Sequence, residues 1–240
     1  MYISQVSDPT IVLDSWRSTN TYGYANAGSI MVVMNEPLDF EINGAASGSS
    51  YINNCFCKTG GGGCILLYNT SLGGAITVDT SAFTATTAYT ELSTGGFWYI
   101  HTTTGDVTIT QDAFVGSDMS AANGGYMFAR TLNGNVCYTC TGICSWTDID
   151  VTNLGGAFWM HSTDDACFYI NDGAAKTMRN ISSVSRGGFI YVDGTDDLTF
   201  LIENADIDNV SCTTGYGGFI TTFLDGDLTF SIVNSDVDDV

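Results

Sequence analysis

Apolar and polar residues alternate in short bursts along this chain. Residues 38–42 read Leu38, Asp39, Phe40, Glu41, Ile42, and the order returns as Leu198, Thr199, Phe200, Leu201, Ile202 and as Leu228, Thr229, Phe230, Ser231, Ile232. A period of two marks a half-buried strand, with Leu38, Phe40 and Ile42 inward and Asp39 and Glu41 in water. A second kind of burst follows paired glycines and is apolar at both parities: FWYI after Gly95–Gly96, YMFA after Gly124–Gly125, AFWM after Gly155–Gly156 and FIYV after Gly187–Gly188. A third, weaker piece reads DID, DIDNV or DVDDV. Helical spacing is missing, and Asn-Gly hairpin turns do not join successive strands, which argues against a bundle or a sandwich.

The glycine marker recurs near residues 27, 62, 95, 124, 155, 187 and 217, and the segment at residue 1 fits the slot after a further marker. Three short strands in each unit of roughly 30 residues, with no long linker, predict an all-β fold. Residues 1–240 are expected to form a single right-handed parallel β-helix of about eight coils starting near those positions. Strands stacked about 4.8 Å apart would give a rod about 38 Å long. The chain enters and leaves inside the repeat, so a longer chain or a stack continued by neighbouring subunits is expected.

Equivalent positions should form columns. A corner ladder is expected after the second strand, from Asp14, Asn43, Asp79, Asp112, Asn171, Asn204 and Asn234, with Thr141 in the fifth coil. Short amides there can bond their own turn and the coil above. In the first strand, Ile30, Ile65, Trp98, Met127, Phe158, Ile190 and Ile220 share the inward parity. The opposite parity carries Phe97, Tyr126, Phe189 and Phe219, then Tyr99, Phe128, Trp159 and Tyr191. A sheet apolar on both faces is normally covered on both, so these eight residues are expected to form a contact face for a neighbouring rod, another protein segment or sugars. At the end of that strand His101, Arg130, His161 and Asp193 fall on successive coils, continued by Tyr68 and Phe223. They are the candidate active-site column. Two histidines are too few for a metal cluster.

Of eight cysteines, Cys137 and Cys167 occupy equivalent outward positions of adjacent second strands, within disulfide reach. Cys140 and Cys144 flank a short turn that a bridge could close. Cys55, Cys57 and Cys64 surround the Gly60–Gly63 run, where one pair is expected, with Cys57 and Cys64 as candidates; Cys212 is left over. The C-x-x-C at 137–140 lies in a strand, not at a helix N-terminus, so redox chemistry is not expected, and zinc lacks a fourth ligand.

Charge narrows the partners. With 26 Asp and Glu against six Lys and Arg the net charge is −20, which excludes the basic footprint of nucleic-acid or anionic-membrane binding. No apolar run is long enough to insert in a membrane as a helix. Sequons at Asn69, Asn180 and Asn209, together with the cysteines, point to an extracellular or cell-surface glycoprotein. No cofactor is expected beyond loose Ca²⁺ on the acidic faces. Outward Thr ranks of the ice-binding kind do not continue from coil to coil.

GGAI at Gly73–Ile76 and the FxxN pattern at Phe40–Asn43 and Phe168–Asn171 resemble the paired motifs of the polymorphic outer-membrane-protein repeats, within the pectin-lyase-like right-handed β-helices. That resemblance implies a surface adhesin or passenger domain. The expected function is a non-enzymatic structural or adhesive rod, a filament or appendage component that self-associates or meets a neighbouring chain. The alternative is a carbohydrate-binding or polysaccharide-active β-helix using His101, Arg130, His161 and Asp193.

Overall fold

The computed structural model describes residues 1–4, 9–24, 26–43, 50–59, 61–70, 74–81, 83–90, 94–171 and 174–240. Gly60 of the glycine run, Ser71 of the first sequon and Gly73 of GGAI lie outside these residues. The regular elements among the described residues are strands, three to a coil, arranged as three parallel sheets of eight strands. The fifth coil shows the plan: Met127–Thr131 in the first sheet, Val136–Cys140 in the second, Cys144–Leu154 in the third. Each strand pairs with its equivalents in the coils before and after, so Trp98 stands between Ile65 and Met127 and Val107 between Ile76 and Val136. The fold is a parallel β-solenoid.

The inner columns fill the centre of the stack. Phe40, Val78, Ile109, Tyr138, Phe168 and Phe200 are buried members of one second-sheet column. Burial depends on neighbours above and below: Leu198 and Phe200 are buried, while Leu228 and Phe230, their equivalents one coil on, are 49% and 46% exposed. Each large side chain covered by both neighbours contributes about 1.5–3 kcal/mol.

Three corners join the sheets. Where the first sheet turns into the second, a hydroxyl points inward and donates to a carbonyl of the preceding coil: Thr102 to Gly74 O (2.6 Å), Thr131 to Gly105 O (2.9 Å), Ser162 to Gly134 O (2.7 Å) and Thr195 to Asp164 O (2.6 Å). These hydroxyls are buried, and the bonds satisfy donors and acceptors that would otherwise be stranded.

The corner after the second strand differs from expectation. Asn43 does pair with Asp14, its Nδ2 donating to Asp14 Oδ1 at 3.2 Å. Asp79, however, lies inside its strand opposite Glu41 and Thr110. The corner place in that coil goes to Ser81, whose amide bonds Ile42 O as those of Asp112, Thr141 and Asn171 bond the coil before. In the last two coils the strands run on to Glu203 and Val233, so Asn204 and Asn234 sit one residue later, with φ of 56° and 50°.

The amide ladder runs instead through the middle of the third sheet. Asn20, Asn54, Asp118, Asp148, Asn180, Asn209 and Asp239 share one column and all have φ between 50° and 56°. Short polar side chains tolerate that left-handed region best. Along the column Asn54 Nδ2 donates to Asn20 Oδ1 (2.7 Å), Asn180 Nδ2 to Asp148 Oδ1 (2.8 Å) and Asn209 Nδ2 to Asn180 Oδ1 (2.9 Å).

Candidate functional site on the outer face of the first sheet

The corner from the third sheet back to the first decides which aromatic residues reach the surface. Gly187 takes φ 62°, and the amides of both Phe189 and Ile190 then bond the one carbonyl of Phe219. The same doubling occurs for Phe97 and Trp98 on Tyr126 O, and for Tyr126 and Met127 on Ala157 O. Two successive amides aimed at one acceptor break the alternation, as a bulge does, so two successive side chains enter the core. Phe97, Tyr126, Phe189 and Phe219 are therefore interior residues (0%, 0%, 0% and 7% exposed), not members of an outer contact face.

The other four expected contact residues do face outward. Tyr99, Phe128, Trp159 and Tyr191 lie on successive coils in register, with Met31 and Leu66 before them and Thr221 after. Their rings contact in sequence, with centroids 4.9 Å apart for Tyr99–Phe128, 4.7 Å for Phe128–Trp159 and 6.2 Å for Trp159–Tyr191. Phe128 and Tyr191 are covered by their neighbours, at 3% and 5% exposed, whereas Tyr99 and Trp159 are only partly covered. Beside Tyr99 a groove of about 290 Å³ opens, lined also by Met31, Leu66 and Tyr68. The alternation of the first strand signalled the stripe; the groove depends on the corner at Gly61 and Asn26 and had no sequence signature.

The polar column is assembled as the spacing predicts: Tyr68, His101, Arg130, His161, Asp193 and Phe223 stand in register on six coils. His161 Nδ1 meets Asp193 Oδ1 at 3.0 Å, and Trp159 Nε1–H donates to the same oxygen at 3.1 Å. Asp193 thereby fixes a ring from each column. His101 faces the Tyr99 hydroxyl through Nδ1 (3.4 Å), and its ring lies 5.0 Å from that of Tyr68. Burial, then the positive charge of Arg130 and the nearby His161, push His101 down to about 4, so it is neutral at pH 7. Burial raises the Tyr99 phenol, opposed in part by Arg130. Arg130 Nε and His101 Nε2 are buried without a hydrogen-bond partner. Arg186, which sequence reasoning missed although it directly precedes the Gly187 marker, places its guanidinium 4.9 Å from the Phe223 ring centre.

These groups give one fixed imidazole–carboxylate pair, a neutral imidazole and a guanidinium, all beside aromatic rings. The column holds a single carboxylate, Asp193, already shared by two donors. Hydrolysis of a glycosidic bond ordinarily uses two.

Elsewhere, Cys137 joins Cys167 across adjacent second strands (Cα–Cα 4.5 Å) and Cys140 joins Cys144 across its turn (6.7 Å). Cys57 and Cys64 are not joined; both are buried thiols, as is Cys55, and Cys212 is a partly covered one. The Cys57 thiol is instead turned to Asn26 O at 2.6 Å. A groove of about 400 Å³ runs over the first disulfide, lined by Asp106, Asn135, Asp165 and Asp197. Those side chains accept main-chain amides of the next coil, as Asp106 Oδ1 does from Asn135 N (2.9 Å) and Asp197 Oδ1 from Asp227 N (2.7 Å). Among the described residues no three His, Cys, Asp or Glu side chains converge as a metal site.

Asn69, a sequon residue, is buried at the hydroxyl corner and donates Nδ2 to Glu36 O at 2.7 Å, which removes it from reach of a glycosylating enzyme once folded. Asn180 and Asn209 are exposed, with their amides in the third-sheet ladder. Compared with known protein families, curated proteins and solved structures, the chain gives no match.

Proposed function

We propose that this protein is a non-enzymatic extracellular adhesive rod whose contact surface is the outer face of the first sheet. The observation carrying this reading is the run of Tyr99, Phe128, Trp159 and Tyr191 up four coils, in ring-to-ring contact beside the groove at Met31 and Leu66. The solenoid behind them is a rigid support, because each coil buries its inner columns only against its neighbours. Two disulfides suit an oxidising exterior. The resemblance of GGAI at Gly73–Ile76 and of the FxxN pattern to the polymorphic outer-membrane-protein repeats supports the same placement. A net charge of −20 keeps the remaining faces apart in solution.

With four of the eight aromatic residues turned inward, the outer stripe is one column wide. That width suits an extended ligand better than broad rod-to-rod packing. A carbohydrate ligand is favoured by the partly covered rings of Tyr99 and Trp159, which offer stacking surfaces, and by the cation of Arg130 beside them. Purified protein screened against an immobilised glycan panel should bind, and Trp159→Ala and Arg130→Ala should each weaken binding at least tenfold with the fold retained by circular dichroism. Binding unchanged in both variants sinks the assignment of this face; concentration-dependent oligomers lost in Trp159→Ala would restore lateral self-assembly.

A further inference from the structure

The third and first sheets meet at a corner that changes chemistry between coils. In the later coils two apolar side chains fill it, as Met119 with Tyr126, Ile181 with Phe189 and Val210 with Phe219. In the second and third coils the equivalent positions are held by Cys55 and Cys64. Both thiols are buried. Cys55 Sγ lies 3.1 Å from the carbonyl oxygen of Gly63, the residue directly before Cys64, and the two thiols are hydrogen-bonding neighbours. Ser29 Oγ and Thr21 Oγ1 each approach Cys55 Sγ to 3.4 Å.

The competing pairings are poorer. Cys57 Sγ is turned to Asn26 O and Thr59 O, and burial pushes it up to about 11. Cys212 belongs to the column of Ser183, Val151 and Ala121, in the seventh coil. For Cys55, burial acts to raise the thiol, but hydrogen bonds from Cys64, Ser29 and Thr21 outweigh it and lower the net value. Both sulfurs are closed off from solvent, at 1% and 0% exposed, so the exchange takes place as the chain folds, before this corner closes.

We propose that Cys55 and Cys64 form a third disulfide when this chain is oxidised, locking the third strand of the second coil to the first strand of the third. The oxidant is a small-molecule disulfide. The Cys55 thiolate attacks one of its sulfurs, breaks its S–S bond and releases one small thiol, leaving a mixed disulfide on Cys55. Cys64, deprotonated, then attacks Cys55 Sγ and expels the second small thiol. The protein gives up two electrons and two protons, and the oxidant's S–S bond becomes two thiols.

The test uses the whole chain, refolded in a glutathione redox buffer, quenched, denatured and alkylated. The expected product carries two alkylated cysteines, Cys57 and Cys212, in place of the four thiols of the structure. Chymotryptic cleavage after Phe56 and tryptic cleavage after Lys58 place Cys55, Cys57 and Cys64 on three separate peptides, so the linked peptides identify the partner of Cys64 directly. Cys57→Ser should leave the link intact, and Cys55→Ser should abolish it. Four alkylated cysteines after oxidation, a Cys57–Cys64 peptide, or loss of the link in Cys57→Ser would overturn the proposal. None of these outcomes bears on glycan binding at the first-sheet face, so the two ideas fail separately.

Discussion

The second and third coils and the coils after them share one backbone device and fill it differently. At the corner into the first sheet, Ser29 and Ile30 both bond Cys64 O, just as Phe158 and Ala157 both bond Phe189 O. Early in the chain the side chains there are small and polar or sulfur-bearing, with Thr21 Oγ1 and Ser29 Oγ 2.6 Å apart and Ser18 Oγ 3.1 Å from Ser29. Later they give way to rings. The corner ring Phe189 has Phe219, Phe158, Trp146 and Phe168 within 5.1–6.0 Å. Where the corner residue shrinks to Ala157, Trp146 from the third sheet fills the space between Tyr126 and Phe189. The corner thus constrains the main chain and leaves the side-chain chemistry open. The early coils use directional bonds, and the later coils use dispersion and buried area.

Breaking each half should separate them. In the reduced protein Phe189→Ala should cost about 3–5 kcal/mol in denaturant unfolding, against about 1 kcal/mol for Cys64→Ala at the equivalent corner position, because a ring leaves a far larger cavity than a thiol. Equal costs would remove the contrast. Ser29→Ala should cost about 1–2 kcal/mol, since it removes the partner of the half-buried Ser18 hydroxyl and leaves that of Thr21 only the Cys55 sulfur. Gly187→Ala should cost ~1–2 kcal/mol for its left-handed φ, and its new Cβ would press on Ile190 O. Ala27 precedes Gly28 at the corresponding corner of the second coil without a positive φ, so Ala27→Gly should cost about 0.5–1 kcal/mol, there being no left-handed strain for glycine to relieve. A further effect concerns pH. His101 binds its proton more weakly folded (about 4) than unfolded (about 6.5), so its contribution is fully present above pH 6.5 and is lost as pH falls toward 4. Between pH 7 and 5, the Tm of His101→Gln should fall by less than that of the parent protein; parallel curves would show that His101 does not titrate as the geometry requires.

Much of this was legible from pattern. The Leu38-Phe40-Ile42 alternation gave the second sheet, and the recurring glycine marker aligned His101, Arg130, His161 and Asp193 in one register despite unequal coil lengths. The failures share a cause. Phe97 and Phe189 were assigned by extending a two-residue period back through a corner, where paired amides on one carbonyl reverse the parity. The third strand looked weak because its ladder residue adds an outward position: Ile207 and Val210 both point inward, three apart, with the left-handed Asn209 between them. Glu203 lengthens its strand and moves Asn204 off the corner. Period two describes strands, not the single residues that turn them.

The bridge between Cys137 and Cys167 also has a mechanical meaning. Hydrogen bonds between coils run along the stacking direction, so a pull on the two ends peels the rod coil by coil. Each released coil of about 30 residues yields roughly 100 Å of extended chain. The two half-cystines are 30 positions apart and sit on adjacent coils, so the bridge withholds about one coil's worth of length. Stretched singly, the oxidised protein should reach its limit roughly 100 Å short of the reduced one, making this disulfide a built-in limit on extension.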